Sequence, residues 1–262
     1  MSDYSLVDTH SHLYVDVFNV DIQQVIKRAA DEGVEKIYLP AIDSEELENL
    51  LALEALFPGK CLAMMGLHPC SVKEDVEKEL AMVQEWLGKR KFAAVGEIGL
   101  DYYWDKTFIE QQKSAFQQQI EWALHYNLPI VIHSRQSTQD CIDIVRQHQK
   151  GNLKGIFHCF GDDEATAKQI IDLGFYLGIG GVLTYKNSGL AQTLSTISLD
   201  HLVLETDSPY LTPVPFRGKR NESSYIKYIA AKLAEVKGVS LEEVARVTTR
   251  NAENVFGAES KK

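Results

Sequence analysis

The chain has 262 residues, 45% hydrophobic and 24% charged, with a formal net charge of −10. That is enough apolar material for a sizeable core, which excludes a disordered chain, and no run approaches the roughly 18 apolar residues of a membrane-spanning helix. The acidic balance, with a pI near 5.3, excludes the broad basic coat that holds duplex DNA without sequence preference, so any nucleic-acid contact must be local or metal-mediated.

Short apolar runs alternate with helical periodicity along the whole chain. SLVDTHSH from Ser5 predicts a first strand ending in His10 and His12, and DIQQVIKRAADEG from Asp21 predicts a helix that runs into Gly33. KIYLPAI from Lys36 is the second strand, with SEELENLLALEAL from Ser44 as its helix. CLAMMGLHP from Cys61 ends in His68, and FAAVGEIGLD from Phe92 carries Glu97 and Asp101. A long amphipathic stretch from Phe108 leads to PIVIHSR from Pro129, which ends in His133 and Arg135. KGIFHCF from Lys154 ends with His158, and DEATAKQIIDLG from Asp163 predicts a helix that closes on Gly174. FYLGIGGV from Phe175 and LVLETDSPY from Leu202 complete eight strands, the last followed by Glu205 and Asp207. Two further helical segments, SSYIKYIAAKLAEVKG and LEEVARVTTRNAENVFG, would close the barrel, and the two terminal lysines read as a solvated tail.

Strand starts fall roughly 20 to 40 residues apart, the room that a strand, its helix and two short loops require. The strands show little alternation, as expected when both faces are buried in a parallel sheet. A (β/α)8 barrel takes about 250 residues, so one domain over 1–262 is expected, and no linker or repeat marks a boundary. Cys61, Cys70, Cys141 and Cys159 form no C-x-x-C pair. A disulfide framework is therefore not expected and a reducing compartment fits. MSDYSLVDTHSH lacks the basic start and apolar run of a signal peptide. The expected location is cytoplasmic.

In such a barrel the active site lies at the C-terminal ends of the strands, where nearly every run here ends in a polar residue. His10 and His12, one residue apart, would point to one side of an extended strand and grip one ion. Glu97 could bridge two cations about 3.5 to 4 Å apart, the spacing of two-metal hydrolysis, with His133 and His158 on the second ion. Asp207 would complete the first ion's shell and hydrogen-bond the attacking water. His68 reads as a substrate contact, and Glu205 either orients a ligand or is a rim charge. His125, His148 and His201, on helices or before a strand, read as structural. Arg135, Lys186, Arg217 and Arg220 at the same rim suit an anionic, phosphate-bearing substrate. Tyr102, Tyr103, Trp104, Tyr185, Tyr210 and Phe216 flank these loops and could stack on bases.

Taken together, VDTHSH, GLHP, GEIGLDYYWD, PIVIHSR, HCF, YLGIGGVLTYKNS, LETDSPYLTPVPFRGKRN and the closing TTRNAENVFG resemble the TatD family of metal-dependent deoxyribonucleases, within the amidohydrolase superfamily. The resemblance covers almost the whole chain. It implies an amidohydrolase-like (β/α)8 barrel, two divalent cations and hydrolysis of phosphodiester bonds in DNA. The family's metal ligands match His10, His12, Glu97, His133, His158 and Asp207. The chain departs from the usual pattern at Cys70, Gln136, Ser137, Gly161, Asp162 and Ser223, none of them a ligand position.

Three functions follow for testing. The first is an exonuclease on single-stranded or frayed DNA, with no membrane and no obligate protein partner. The alternative is hydrolysis of another ester or amide, such as an aminoacyl-tRNA linkage, at the same two-metal site. The third is a catalytically silent scaffold, disfavoured because every proposed ligand is present. Magnesium, zinc or manganese would each suit the mixed ligand set.

Overall fold

The computed structural model describes residues 4–257. The terminal lysines, Lys261 and Lys262, lie outside the described residues. In chain order the elements are β1 (Leu6–Asp8), α1 (Ile22–Asp31), β2 (Val34–Leu39), α2 (Leu47–Leu56), β3 (Cys61–Ala63), α3 (Val76–Lys89), β4 (Val95–Asp101) and α4 (Ile109–Tyr126). They continue as β5 (Ile130–Arg135), α5 (Thr138–His148), β6 (Gly155–Phe157), α6 (Glu164–Asp172), β7 (Tyr176–Ile179), α7 (Leu190–Thr196), β8 (Leu202–Leu204), α8 (Ile226–Lys237) and α9 (Leu241–Phe256).

All strand pairs are parallel, in the orders β1-β2-β3 and β4-β5-β6-β7-β8. Backbone hydrogen bonds join the two groups into a ring. Between β3 and β4, Met65 pairs with Val95 and the Ala93 amide donates to the Ala63 carbonyl at 3.0 Å. Between β8 and β1, the Thr9 amide donates to the Leu204 carbonyl at 3.0 Å. The eight-stranded barrel anticipated from the sequence is therefore closed. Closure also leaves no unpaired sheet edge.

The apolar residues sort into two layers. A large cluster between strands and helices includes Leu6, Ile37, Val95, Ile130, Phe157 and Leu204. A separate cluster joins Val7, Tyr38, Met64, Ala94, Val131, Ile156 and Val203, from neighbouring strands, to Ala252 and Val255 of α9. These residues fill the barrel, and α9 stoppers it, with Phe256 stacked on Tyr38 at 3.7 Å between ring centroids. Function is thereby confined to the other end.

Local chemistry sets the helix ends. Asp163 caps α6 by accepting from the Thr166 amide at 2.9 Å, and Ser240 caps α9 by accepting from the Glu243 amide at 3.2 Å. Asn127 after α4 and Gly238 after α8 take the left-handed conformation, with φ of 51° and 64°. In β4, Gly99 has φ +138°, and a Cβ there would sit 2.1 Å from the His133 carbonyl oxygen. Only glycine lets β4 and β5 approach closely enough to bring Glu97 beside His133.

The regular strands are shorter than the apolar runs suggest. β1, β3, β6 and β8 have three residues each. His10, His12, His68, His158, Glu205 and Asp207 consequently stand in loops just past the strand ends. There the ladder gives way to bonds between loops, such as the Ser11 amide to Tyr38 and the His12 amide to Ser208, at 3.0 and 2.7 Å. No helix among the described residues is long and apolar enough to cross a membrane.

Candidate metal centre

Glu97, buried on β4, organises the site. Its Oε2 lies 3.1 Å from His10 Nε2 and 3.5 Å from His12 Nε2. Its Oε1 lies 2.8 Å from His133 Nδ1 and 3.4 Å from both His68 Nε2 and His158 Nε2. One carboxylate thus divides its two oxygens between two groups of imidazoles. Asp207 Oδ1 faces the first group, 3.8 Å from His10 Nε2 and 3.7 Å from His12 Nε2. All six ligands expected from the sequence converge on one spot.

The donor set fits cations on two further grounds. His10 Nε2 and His12 Nε2 stand 3.2 Å apart, two ring nitrogens aimed at one point. Glu97 Oε2 is buried with no hydrogen-bond donor of good geometry. A buried carboxylate oxygen without a donor is costly unless a cation completes it. Three ligand groupings recur: His10, His12 and Glu97; His10, His158 and Asp207; and His68, Glu97 and His133. His10 and His158 are stacked at 3.7 Å between centroids, so His158 reaches the His10 side as well as Glu97 Oε1.

Hydrogen bonds behind the rings assign the tautomers. The Tyr14 hydroxyl donates to the Pro40 carbonyl at 2.6 Å, so it can only accept from His12 Nδ1 at 2.9 Å. His12 therefore presents a bare Nε2 to the site. His158 Nδ1 donates to Glu205 Oε1 at 3.1 Å, so Nε2 is the nitrogen that an ion would take once the ring is neutral. Glu205, left open as orienter or rim charge, is the orienter: it is buried, and its Oε1 also accepts from the Cys159 amide at 2.6 Å. It fits because Gly178 lies beside it, where a Cβ would fall 2.2 Å from Glu205 Oε2. His133 Nε2 donates to Asp101 Oδ2 at 2.9 Å, leaving Nδ1 to face Glu97. His68 is the opposite case. Its Nδ1 accepts from the Cys70 amide at 3.0 Å, so its Nε2 carries hydrogen and suits a substrate oxygen better than a metal.

Two orienting residues carry no assigned role in the sequence reading. Asp101 stands at the end of β4, where position alone marks it as a suspect. Tyr14 follows His12 by two residues, the same alternation that relates His12 to His10, but its tie to Pro40 is a tertiary fact. Asp8 also matters: its carboxylate accepts from the Thr206 amide and hydroxyl at 2.9 and 2.6 Å, tying the loop that carries His10 to the loop that carries Asp207. Burial pushes its pKa up to about 7.

The basic residues divide. Arg135 lines the 710 Å³ cavity over the site, with His68, Trp104 and Tyr210. Arg217 is exposed and lies over the Tyr185 ring at 3.9 Å, and Lys186 is exposed on the loop beyond β7, both outside that cavity lining. Arg220 does not reach the site. Its guanidinium is held by Asp21 at 2.7 and 2.8 Å and by the Val17 carbonyl at 2.8 Å, an ion pair that its place in RGKR does not reveal. Among the aromatics, Tyr102 donates to Asp140, Tyr185 to the Thr212 carbonyl, and Phe216 stacks on Tyr225, so these three serve packing. His148 bonds the Ile144 carbonyl within its own helix, consistent with a structural role. All four cysteines are free.

Charge is finely balanced in the metal-free site. Burial alone would lower the His158 pKa, but the Glu205 and Glu97 carboxylates outweigh it and raise it to about 10. That proton stabilises the metal-free fold fully below the ordinary value of 6.5, and the contribution is lost as pH rises through about 10. Because a ligating ring must be unprotonated, ion binding at pH 7 should release about one proton or more. Calorimetric titration of chelator-stripped protein in two buffers of different ionisation enthalpy measures it; equal heats in both would contradict the expectation. A second expectation concerns Tyr14. Tyr14→Phe removes the acceptor that fixes His12, and metal affinity in a chelator competition should fall about 10- to 100-fold. Unchanged affinity would mean that packing alone orients the ring.

Comparison with known proteins agrees with this geometry. The family model described as TatD related DNase matches residues 7–257. The uncharacterized metal-dependent hydrolase YabD of Bacillus subtilis is 39% identical over 252 residues, covering 96% of this chain and 98% of that one. The crystal structure of YjjV, a TatD homolog from Escherichia coli K12, superposes with a TM-score of 0.91 at 30% identity, over 97% of this chain and 98% of that one. An uncharacterized amidohydrolase from Saccharomyces cerevisiae shares the fold, with a TM-score of 0.81 at 18% identity over 97% of this chain and 100% of that one. With its amidohydrolase-like (β/α)8 barrel and this cluster of histidines and carboxylates, the chain belongs to the TatD family of metal-dependent hydrolases.

Proposed function

We propose that the protein is a deoxyribonuclease that removes nucleotides from single-stranded or frayed DNA ends, supported by two divalent ions drawn from magnesium, manganese or zinc. The observation that carries this reading is the division of Glu97, with Oε2 toward His10 and His12 and Oε1 toward His133 and His158. Two ions held there would supply Lewis acidity and a water acidified toward neutral pKa.

The chain's own groups supply the rest. Asp207 faces the cavity from the His10 side, where its carboxylate is placed to accept the water's proton. In the same cavity, His68 Nε2 and the Arg135 guanidinium are donors for phosphate oxygens. The cavity's 710 Å³ is in the range of a small-molecule pocket, which favours a strand end over duplex.

The test is release of nucleotides from end-labelled single-stranded DNA by metal-stripped protein, with magnesium, manganese or zinc restored. Metal-dependent release is the expected result. No release with any ion would overturn the nuclease reading and direct attention to ester substrates such as aminoacyl-tRNA.

A further inference from the structure

Beside the metal cavity, β4 runs into a loop that presents two large aromatic rings to solvent. Trp104 is 67% exposed and Tyr103 47%, far more than packing aromatics require. Their rings meet edge to face at 4.9 Å, and the Arg135 guanidinium lies 3.8 Å from the Tyr103 centroid and 5.2 Å from that of Trp104. Among the described residues no carboxylate pairs with Arg135, so its charge is available to a ligand. Trp104 and Arg135 both line the cavity that holds Glu97, His133 and Asp207.

The loop is tied to the metal centre. Asp101 uses Oδ2 for His133 and Oδ1 for the amides of Tyr103 and Trp104, at 2.8 and 3.0 Å. Gln112 holds the Asp101 backbone through its amide and carbonyl, at 2.9 and 3.2 Å. A single carboxylate thus fixes the exposed rings relative to a metal ligand, an arrangement suited to positioning a flat group against a reacting centre.

An adjoining groove has the wrong charge for a polyanion. A groove that shares Ile42 and Tyr210 with the metal cavity is lined by Asp16, Asp43, Glu45 and Glu46, and its one basic residue, Arg220, is held by Asp21. Phosphates are repelled there and attracted to the Arg135 side.

We propose that Trp104, with Arg135 beside it, is a stacking subsite for an unpaired nucleobase whose own phosphate lies at the metal centre, an inference that rests on the nuclease reading. Base on aromatic ring and phosphate on guanidinium are recognised together. Bases within a duplex have both faces covered by their neighbours and cannot present one to Trp104, so the subsite selects strand ends and single strands.

The experiment is calorimetric binding of thymidine 5′-monophosphate and of 2-deoxyribose 5-phosphate to the metal-loaded protein. The base-bearing ligand should bind about tenfold tighter or more. Trp104→Ala should erase that preference and Trp104→Phe should retain most of it, because a smaller ring still stacks. Equal affinities in the wild type, or a preference undiminished in Trp104→Ala, would overturn the subsite. The nuclease reading is tested apart from it. Base preference through Trp104 without DNA hydrolysis sinks the nuclease and leaves the subsite, whereas DNA hydrolysis with no base preference sinks the subsite and leaves the nuclease.

Discussion

Glu97→Gln is expected to lower turnover by about 10³-fold or more, equivalent to about 4 kcal/mol of transition-state stabilisation. The substitution keeps the side chain's shape and removes the negative charge that stands between the two histidine groups. Burial alone would raise the Glu97 pKa, but His10, His68 and His158 hold it well below the usual carboxylate range. The wild-type group is therefore ionised at neutral pH, and the variant loses a full charge from between the two groups of imidazoles. Metal content should fall together with activity, because an amide cannot bridge two cations as a carboxylate does. The barrel should survive, since the cluster that fills it lies beneath the site and the larger one lies outside, between strands and helices. Metal analysis and turnover on single-stranded DNA would be measured at matched protein concentration; wild-type metal content in the variant would refute the bridging role.

Asp207→Asn should separate binding from chemistry. Asp207 stands farther from His10 and His12 than Glu97 does, at 3.8 and 3.7 Å, so its loss should disturb metal occupancy less. If it accepts the proton of the attacking water, turnover should fall by about 10²- to 10⁴-fold while most of the metal is retained. Equal losses of both would make Asp207 a ligand and nothing more. The metal-free protein offers an independent check. Burial raises the Asp207 pKa from 3.8 to about 6, so ionising it in the fold is destabilising, and the penalty develops as pH rises through that interval. Metal-stripped Asp207→Asn should consequently melt above metal-stripped wild type at pH 7, with the difference vanishing below pH 3.8.

The barrel and the candidate ligands at its rim were legible in the sequence because both are written in local pattern. Eight apolar runs at regular spacing have few other ways to bury both faces, and a polar residue ending such a run must stand at the rim. His10, His12, Glu97, His133, His158 and Asp207 were legible on that ground. Sequence also marked Asp101 and Glu205 as rim residues, but their work depends on which ring nitrogen each one meets. Only the tertiary structure decided that Asp101 holds His133, that Glu205 holds His158, and that Tyr14 bridges His12 to Pro40. It also decided which cations are free. Arg220 and Arg135 look alike in the chain, yet Asp21, 199 positions from Arg220, neutralises one while the other lies open on Tyr103 and Trp104. Candidate ligands follow from residue type and place on a strand, whereas tautomer, charge balance and availability to substrate arise from partners far away in sequence that only folding brings together.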